Sequence, residues 1–364
     1  MRVTHLWLGL LSGLVFFVIC FTAAIWAFSP EIENWTQSYR HVKEENKGFL
    51  PISILKAIAE KNLPGKKANS IGFNGKDKSV TVDFYGDKYY YTAFVNPYNG
   101  QLIKLKNNDG DFFRTVLTGH YSLWLGDVGR QIVKWTTFVF LFVLISGIVL
   151  WWPKNKAARK QRFTIKMGTS PKRLNYDLHN VLGFYASWII VFAALSGVIW
   201  TFDWASNAEY WLVSGGKKKP DYPNVVAKRT QTDVLLLNGI DKVVAEKMTG
   251  YDNPYSTYLS FPDNDSAAYY LSINPQKKNY NYDAFYFNQH TLQEIPVQFY
   301  GQYKNANAGE KLSRMNYDIH VGNILGLPGR IAMFCGVLIG ASLPITGFYI
   351  WWGKKKKKGK KRLK

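Results

Sequence analysis

Along most of the chain apolar and polar residues alternate at short range, but four windows are apolar almost without interruption. They are Leu6–Phe28, Ile132–Trp152, Val181–Phe202 and Ile331–Trp352, and Lys134 is the single charge among them. Each is long enough to cross a hydrocarbon core of about 30 Å as a helix. A buried helix of a water-soluble protein rarely stays this apolar over twenty residues, and four such runs predict four transmembrane helices. Between the first two windows, Ser53–Asn62 carries a helical period after Pro51. Ala68–Phe73, Lys78–Phe84 and Tyr89–Val95 read as strands separated by Asn-Gly and Gly-Asp turns, and Asn96-Pro97-Tyr98-Asn99-Gly100 reads as a further turn. Between the last two windows the same order returns. A helix is predicted over Leu235–Met248, with strands over Tyr255–Phe261, Ala267–Asn274 and Tyr282–Asn288.

The return is a duplication. A shift of 200 residues lays His120 on His320, Gly126 on Gly326, Gly129-Arg130 on Gly329-Arg330, Gly147 on Gly347 and Trp151-Trp152 on Trp351-Trp352. A shift of 174 lays His5 on His179, Gly9 on Gly183, Trp26 on Trp200 and Phe28 on Phe202. The expected fold is a mixed membrane protein, with four transmembrane α-helices from a duplicated two-helix unit and two extracytoplasmic α+β domains. Its segments are span one to residue 28, an outer domain with an interfacial His segment over 29–129, and span two over 130–152. A loop over 153–178 and span three over 179–202 follow, then a second outer domain with its His segment over 203–329, span four over 330–352 and a tail over 353–364. Both halves start on the same side, so the repeats are parallel, related by an axis along the membrane normal.

Charge fixes the orientation. The net charge is +21 and the mean hydropathy −0.17, values that would suit a soluble nucleic-acid binder if the charge were spread. It is concentrated instead: Pro153–Arg173 holds 8 Lys/Arg and no acid, Gly353–Lys364 holds 9, and Arg2 adds 1, so 18 of the 46 basic residues sit in three short segments. Short basic segments beside spans stay in the cytoplasm. The termini and the 153–178 loop are therefore expected inside, the two long connections outside, and nucleic acid is excluded as a partner. The basic segments imply contact with anionic membrane lipid. Span one has no A-x-A cleavage site after it and reads as an uncleaved anchor. Cys20 and Cys335 lie within spans, so no disulfide framework is expected in the outer domains.

Of the 6 histidines, 4 are the duplicated ones. His5 and His179 fall at the cytoplasmic ends of spans one and three; His120 and His320 fall just before spans two and four, at the opposite face. Ionisable residues at membrane depth are functional by default, and imidazoles paired across a twofold axis can hold a haem iron from both sides. The glycines after His120 and His320 break the helix, which lets each His segment fold back over the membrane face. No Cys-x-x-Cys-His occurs, so two non-covalent b-type haems are expected, one for each pair. Arg2, Arg130 and Arg330 are candidate partners for haem propionates. Asp177 and Asp318, two residues before His179 and His320, read equally well as helix caps. His41 and His290 read as solvent-facing, and the Trp pairs as interfacial belts. No phosphate-binding loop, zinc-protease motif or nucleophile elbow is present.

His5-x-x-x-Gly9 and His179-x-x-x-Gly183 open spans one and three, and Tyr317-Asp318-Ile319-His320 followed by Gly329-Arg330 leads into span four. The whole plan resembles the PepSY-associated transmembrane family, and the helix and strands ending in Val95-Asn-Pro-Tyr-Asn-Gly-Gln-Leu102 resemble a PepSY domain. Family members include iron-regulated membrane proteins, some similar to inner-membrane ferric-siderophore reductases with two haems. That resemblance implies electron transfer from a cytoplasmic reductant or quinone to iron(III) chelates in the periplasm. It also leaves an alternative, a cofactor-free membrane protein whose PepSY-like domains bind or restrain a periplasmic peptidase or other partner.

Overall fold

The computed structural model describes residues 1–153, 155, 159, 162–228 and 239–362, with side chains as far as Gly353. The chain divides into two compact units, one made of 1–29, 112–206 and 316–364, the other of 30–111 and 207–315.

The first unit is a helix bundle. Its long helices are α1 (Arg2–Trp26), α5 (Gly126–Trp151), α6 (Pro171–Thr201) and α10 (Gly326–Arg362). Each of the four carries a stretch long and apolar enough to cross a membrane. Two shorter helices belong to the same unit, α4 (Phe112–Ser122) and the end of α9 (Ala308–His320). The unit's inner face packs Phe16, Cys20, Phe140, Leu144, Ile190, Met333 and Val337. The Phe16 and Phe140 rings stack at 3.7 Å. Its outer face is equally apolar, with Leu11 and Leu14 at 77% and 76% exposure. Water does not tolerate such a surface over four helices, whereas lipid does. α1 and α6 each pack on both α5 and α10. Helix α1 therefore stands diagonally opposite α6, and α5 opposite α10.

The second unit holds α2 (Ser29–Thr36), α3 (Ile52–Lys61), α7 (Asp203–Val213) and α8 (Gly239–Met248) with seven strands. The strands are β1 (Ser70–Phe73), β2 (Val80–Gly86), β3 (Tyr89–Val95), β4 (Leu102–Asn107), β5 (Ser256–Ser260), β6 (Ala268–Asn274) and β7 (Asp283–Asn288). They form one antiparallel sheet in the order β4-β3-β2-β1-β5-β6-β7. Two separate α+β domains were expected from the duplication; the two connections instead share one sheet. The join is β1 on β5, from Ser70 opposite Ser260 to Phe73 opposite Thr257. A lone half would leave β1 as a bare edge, and pairing the two halves edge to edge removes that edge from each. One core spans the join, with Leu55, Ile71, Val82 and Phe84 from the first half and Val244, Leu259, Leu271 and Phe285 from the second. The two helices over it are tied together: Asp241 on α8 accepts from the Ser53 backbone N–H at 3.0 Å and from the Ser53 hydroxyl, both in the first turn of α3.

The strand readings hold to within two residues. β4 is an addition; its sequence, Leu-Ile-Lys-Leu-Lys-Asn, lies at the sheet edge and is only partly buried, which weakens its pattern. The helix expected over 235–248 begins at Gly239, and 235–238 lie outside the described residues. Of the basic residues at 153–173, Lys154, Lys156 and Lys160 likewise lie outside them, and the tail charges from 354 onward lie outside them or beyond the described side chains.

Candidate functional site

The site is built from the bundle's two helical hairpins. α4 ends at Ser122, and the chain turns through Leu123 and Trp124, both left-handed (φ 51° and 59°), and through Gly126 (φ 56°) before α5 begins. α9 leads to α10 through Gly322 (φ 78°) and Gly326 (φ 66°). At the crossing of each hairpin no side chain fits. A Cβ on Gly129 would fall on the Ser122 carbonyl, and one on Gly329 would fall on the Gly322 carbonyl. Those residues correspond at the shift of 200, so the same fold-back is made twice. It brings His120, on α4, and His320, the last residue of α9, together, with ring centroids 6.0 Å apart and planes at 75°.

All four duplicated histidines are held by one device. His120 Nδ1 lies 2.9 Å from the Ile19 carbonyl and 3.5 Å from the Thr22 hydroxyl on α1. His320 Nδ1 lies 2.9 Å from the Ser196 hydroxyl on α6, with the Ala193 backbone beside it. Ile19 and Thr22 become Ala193 and Ser196 at the shift of 174. At the other end, His5 Nδ1 meets the Val143 carbonyl at 3.2 Å and the Ser146 hydroxyl at 3.0 Å. His179 Nδ1 meets the Thr346 hydroxyl at 2.9 Å, with the Leu343 backbone beside it. Val143 and Ser146 become Leu343 and Thr346 at the shift of 200.

These contacts fix the tautomer. A carbonyl only accepts, so Nδ1 of His5 and of His120 carries the proton. The hydroxyls facing the other two have spent their own protons. Ser196 donates to the Phe192 carbonyl at 2.7 Å, and Thr346 donates to the Ser342 carbonyl at 3.0 Å. They too must accept from Nδ1–H. Each neutral ring is then left with an unprotonated Nε2, and among the described residues no hydrogen bond reaches it. Ligating imidazoles are oriented this way by an N–H donated to the opposite side. For His120 and His320, removal from water pushes the imidazole pKa down, which keeps that lone pair available at neutral pH.

Glycine supplies room. A Cβ on Gly147 would come within 3.3 Å of His5 Cε1, and one on Gly347 within 3.2 Å of His179 Cε1. Trp200 lies 4.9 Å from the His320 ring and faces Tyr317 at 6.3 Å. A metal bound by two imidazoles at ~2 Å each holds the ring centroids about 6 Å apart, the spacing of His120 and His320. Two neutral imidazoles at this spacing are a donor set that could hold a haem iron. The two pairs are separated along α1 by the 14 residues from His5 to Ile19, roughly 21 Å at helical rise.

A family model described as the PepSY-associated TM region matches residues 2–354. The chain belongs to this family. No curated protein matches it.

Within this PepSY-associated bundle the other sequence candidates lie as follows. Arg2 is exposed at the start of α1. Arg130 is exposed and paired with Asp127 one turn before it. Arg330 donates to the Ala27 carbonyl at 2.6 Å and lies 5.3 Å over the Phe28 ring. Asp177 is buried and bridges Arg173 at 2.9 Å, and Asp318 accepts from Asn323 at 2.9 Å, so both act within their own hairpins and helices. His41 contacts Lys78 at 3.0 Å and His290 the Asp265 carbonyl at 3.0 Å, both in the sheet unit. Thr22, Ser146, Ser196 and Thr346 were not singled out from the sequence, because a lone hydroxyl in an apolar helix usually bonds its own backbone. The two repeat shifts identify them. Ser196→Ala leaves the His320 Nδ1–H without its hydroxyl. The expected result is a 10- to 100-fold weaker hold on a ligand at that ring, measured by haem retention during dilution; an unchanged hold would remove the hydroxyl from the device.

Proposed function

We propose that this chain is a two-haem electron carrier of the bacterial inner membrane, reducing ferric-siderophore or other iron(III) chelates in the periplasm. His5 and His179 would hold one b-type haem toward the cytoplasm, and His120 and His320 the other toward the periplasm. The observation that carries the reading is the uniform state of the four imidazoles: Nδ1–H donated to a neighbouring helix, Nε2 bare, and one pair already at ligand spacing. Such a haem group, held by these histidines, would supply one-electron transfer.

The protein's own share is placement and exclusion. The Ser and Thr hydroxyls and the helix carbonyls hold each ring in one tautomer. Phe16, Phe140, Leu144 and Met333 belong to one apolar cluster in the interior of the bundle, a poor medium for water or a proton. The basic segments at Arg2, 153–173 and 353–364 favour cytoplasmic termini, which sets the direction from a cytoplasmic reductant or quinone outward. A carboxylate reaching Arg130 or Arg330 would meet guanidinium groups already holding Asp127 and the Ala27 carbonyl; Arg2 stands exposed. An electron delivered to an iron(III) chelate yields iron(II), which hard oxygen donors hold less firmly.

The test uses purified protein reduced under argon, freed of reductant and mixed with a ferric hydroxamate and a ferrous-specific chromophore. The expected result is reoxidation of the protein with one trapped iron(II) per electron lost. A reduced protein that stays reduced would contradict the assignment of iron chelates as acceptors.

A further inference from the structure

Lys134 interrupts the apolar run of α5, and nothing assigned so far uses it. Its counterpart at the shift of 200 is Phe334, which packs against Phe28 on α1's continuation at 5.3 Å. The position is thus apolar in one repeat and cationic in the other. A single cation this close to the apolar layer is expensive, and such residues mark ligand or ion sites. The ordinary alternative is snorkelling, in which the ammonium turns outward to the lipid headgroups.

The ammonium meets an aromatic face of the bundle. Its Nζ lies 4.3 Å from the centroid of the Phe202 ring, and Phe202 is buried in the contact between α5 and α6 with Phe138 and Val198. One turn further along α5, Thr137 shares a gap with His320: a Cβ on Gly197 would stand 3.4 Å from Thr137 Cγ2 and 3.9 Å from His320 Cε1. α5 and α6 run in opposite directions, so Lys134 and Phe202 both lie beyond that gap, toward the end of the bundle that carries His120 and His320. By helical rise the offset is roughly 5–7 Å. Among the described residues Lys134 makes no hydrogen bond or ion pair, and an aromatic face alone is a weak counterpart for an ammonium. The cations first considered for this end, Arg130 and Arg330, are committed to Asp127 and to the Ala27 carbonyl.

We infer that Lys134 binds a carboxylate of the ligand seated between His120 and His320, which on the reading above is a haem propionate. Lysine suits the task as a compact point charge on a flexible stem. The Phe202 ring and the stem's own packing hold the ammonium at the mouth of the α5–α6 contact, so the carboxylate replaces a weak partner with a strong one. The assignment also makes the two repeats unequal at this end of the bundle, because Phe334 offers no such charge.

The experiment compares full-length wild type, Lys134→Met and Lys134→Arg in mild detergent. Haem is counted as the pyridine complex, and its transfer to excess apomyoglobin is timed. In Lys134→Met one of the two haems is expected to leave at least tenfold faster than in wild type, with the other unchanged. In Lys134→Arg both are expected to leave within threefold of the wild-type rates. Wild-type rates for both haems in Lys134→Met would overturn the inference. So would loss of a co-purifying anionic phospholipid from that variant with haem release unchanged, which would make the site a headgroup site. A wild type that binds no haem would overturn the functional reading itself, a result distinct from a wild type with two haems in which Lys134 is inert.

Discussion

Replacing His120 with alanine is expected to leave a chain that carries one low-spin haem in place of two, and His320→Ala is expected to do the same. The two ring centroids lie 6.0 Å apart and among the described residues no hydrogen bond reaches either Nε2, so each substitution removes one of the pair's two ligands. His320 is additionally held by the Ser196 hydroxyl and flanked by Trp200, which fixes its ring whether or not His120 is present. Loss of one axial bond therefore gives release or a high-spin centre, not a substitute low-spin one. A second haem, which His5 on α1 and His179 on α6 would hold at the far end, is expected to keep its spectrum. His41→Ala and His290→Ala, in the sheet unit, are expected to keep both. Optical and electron-spin resonance spectra of the purified variants check this, and retention of two low-spin haems in His120→Ala would refute the pairing.

Gly129→Ala is expected to be the most damaging single-methyl change in the bundle. A Cβ there falls on the Ser122 carbonyl, a backbone atom that cannot rotate away. Relief requires α4 to separate from α5, at a cost of 1–3 kcal/mol or more, as is typical when a packed contact is overfilled. α4 also carries His120, whose Nδ1 depends on a 2.9 Å bond to the Ile19 carbonyl. A shift of that size breaks the bond and turns the ring, so the haem of that pair is lost while the His5–His179 haem remains. Gly329→Ala repeats the effect from the other hairpin. Gly9→Ala is the control, since a Cβ there meets nothing within 4 Å. Thermal unfolding and haem content, read together, measure both effects; a Gly129→Ala protein with wild-type values would show that the hairpin is not tight.

Much of this was legible in the sequence because membranes simplify the code. A span must be apolar for some twenty residues, so α1, α5, α6 and α10 announce themselves, and a charge or imidazole beside them stands out. The matching positions were legible for the same reason: His5 and His179, Gly147 and Gly347, Gly129 and Gly329 are landmarks in uniform surroundings, and the members of each glycine pair meet like neighbours. The sheet was legible only by halves. Each half's strands alternate locally, but the pairing of Ile71 with Leu259 joins residues 188 apart, and nothing local signals an edge that will be filled by another edge. Hence two domains were expected where one sheet forms. The short helices α4 and α9 carry the key histidines; α9 turns through left-handed Gly322 and Gly326, but the turn after α4 depends on left-handed Leu123 and Trp124, residues whose types do not advertise that conformation. The hydroxyls that set the tautomers were hidden for a further reason: a serine in an apolar helix looks the same whether or not a histidine leans on it.

The central claim is that each chain holds two haems through four histidines. A dithionite-reduced minus oxidised spectrum of detergent-purified protein, with haem counted as the pyridine complex, tests it most directly. The account predicts sharp low-spin b-type bands at two haems per chain. A colourless protein, free of haem after expression with ample haem supply, would contradict it and leave the sheet unit, as a binding module for a protein partner, to explain what the chain does.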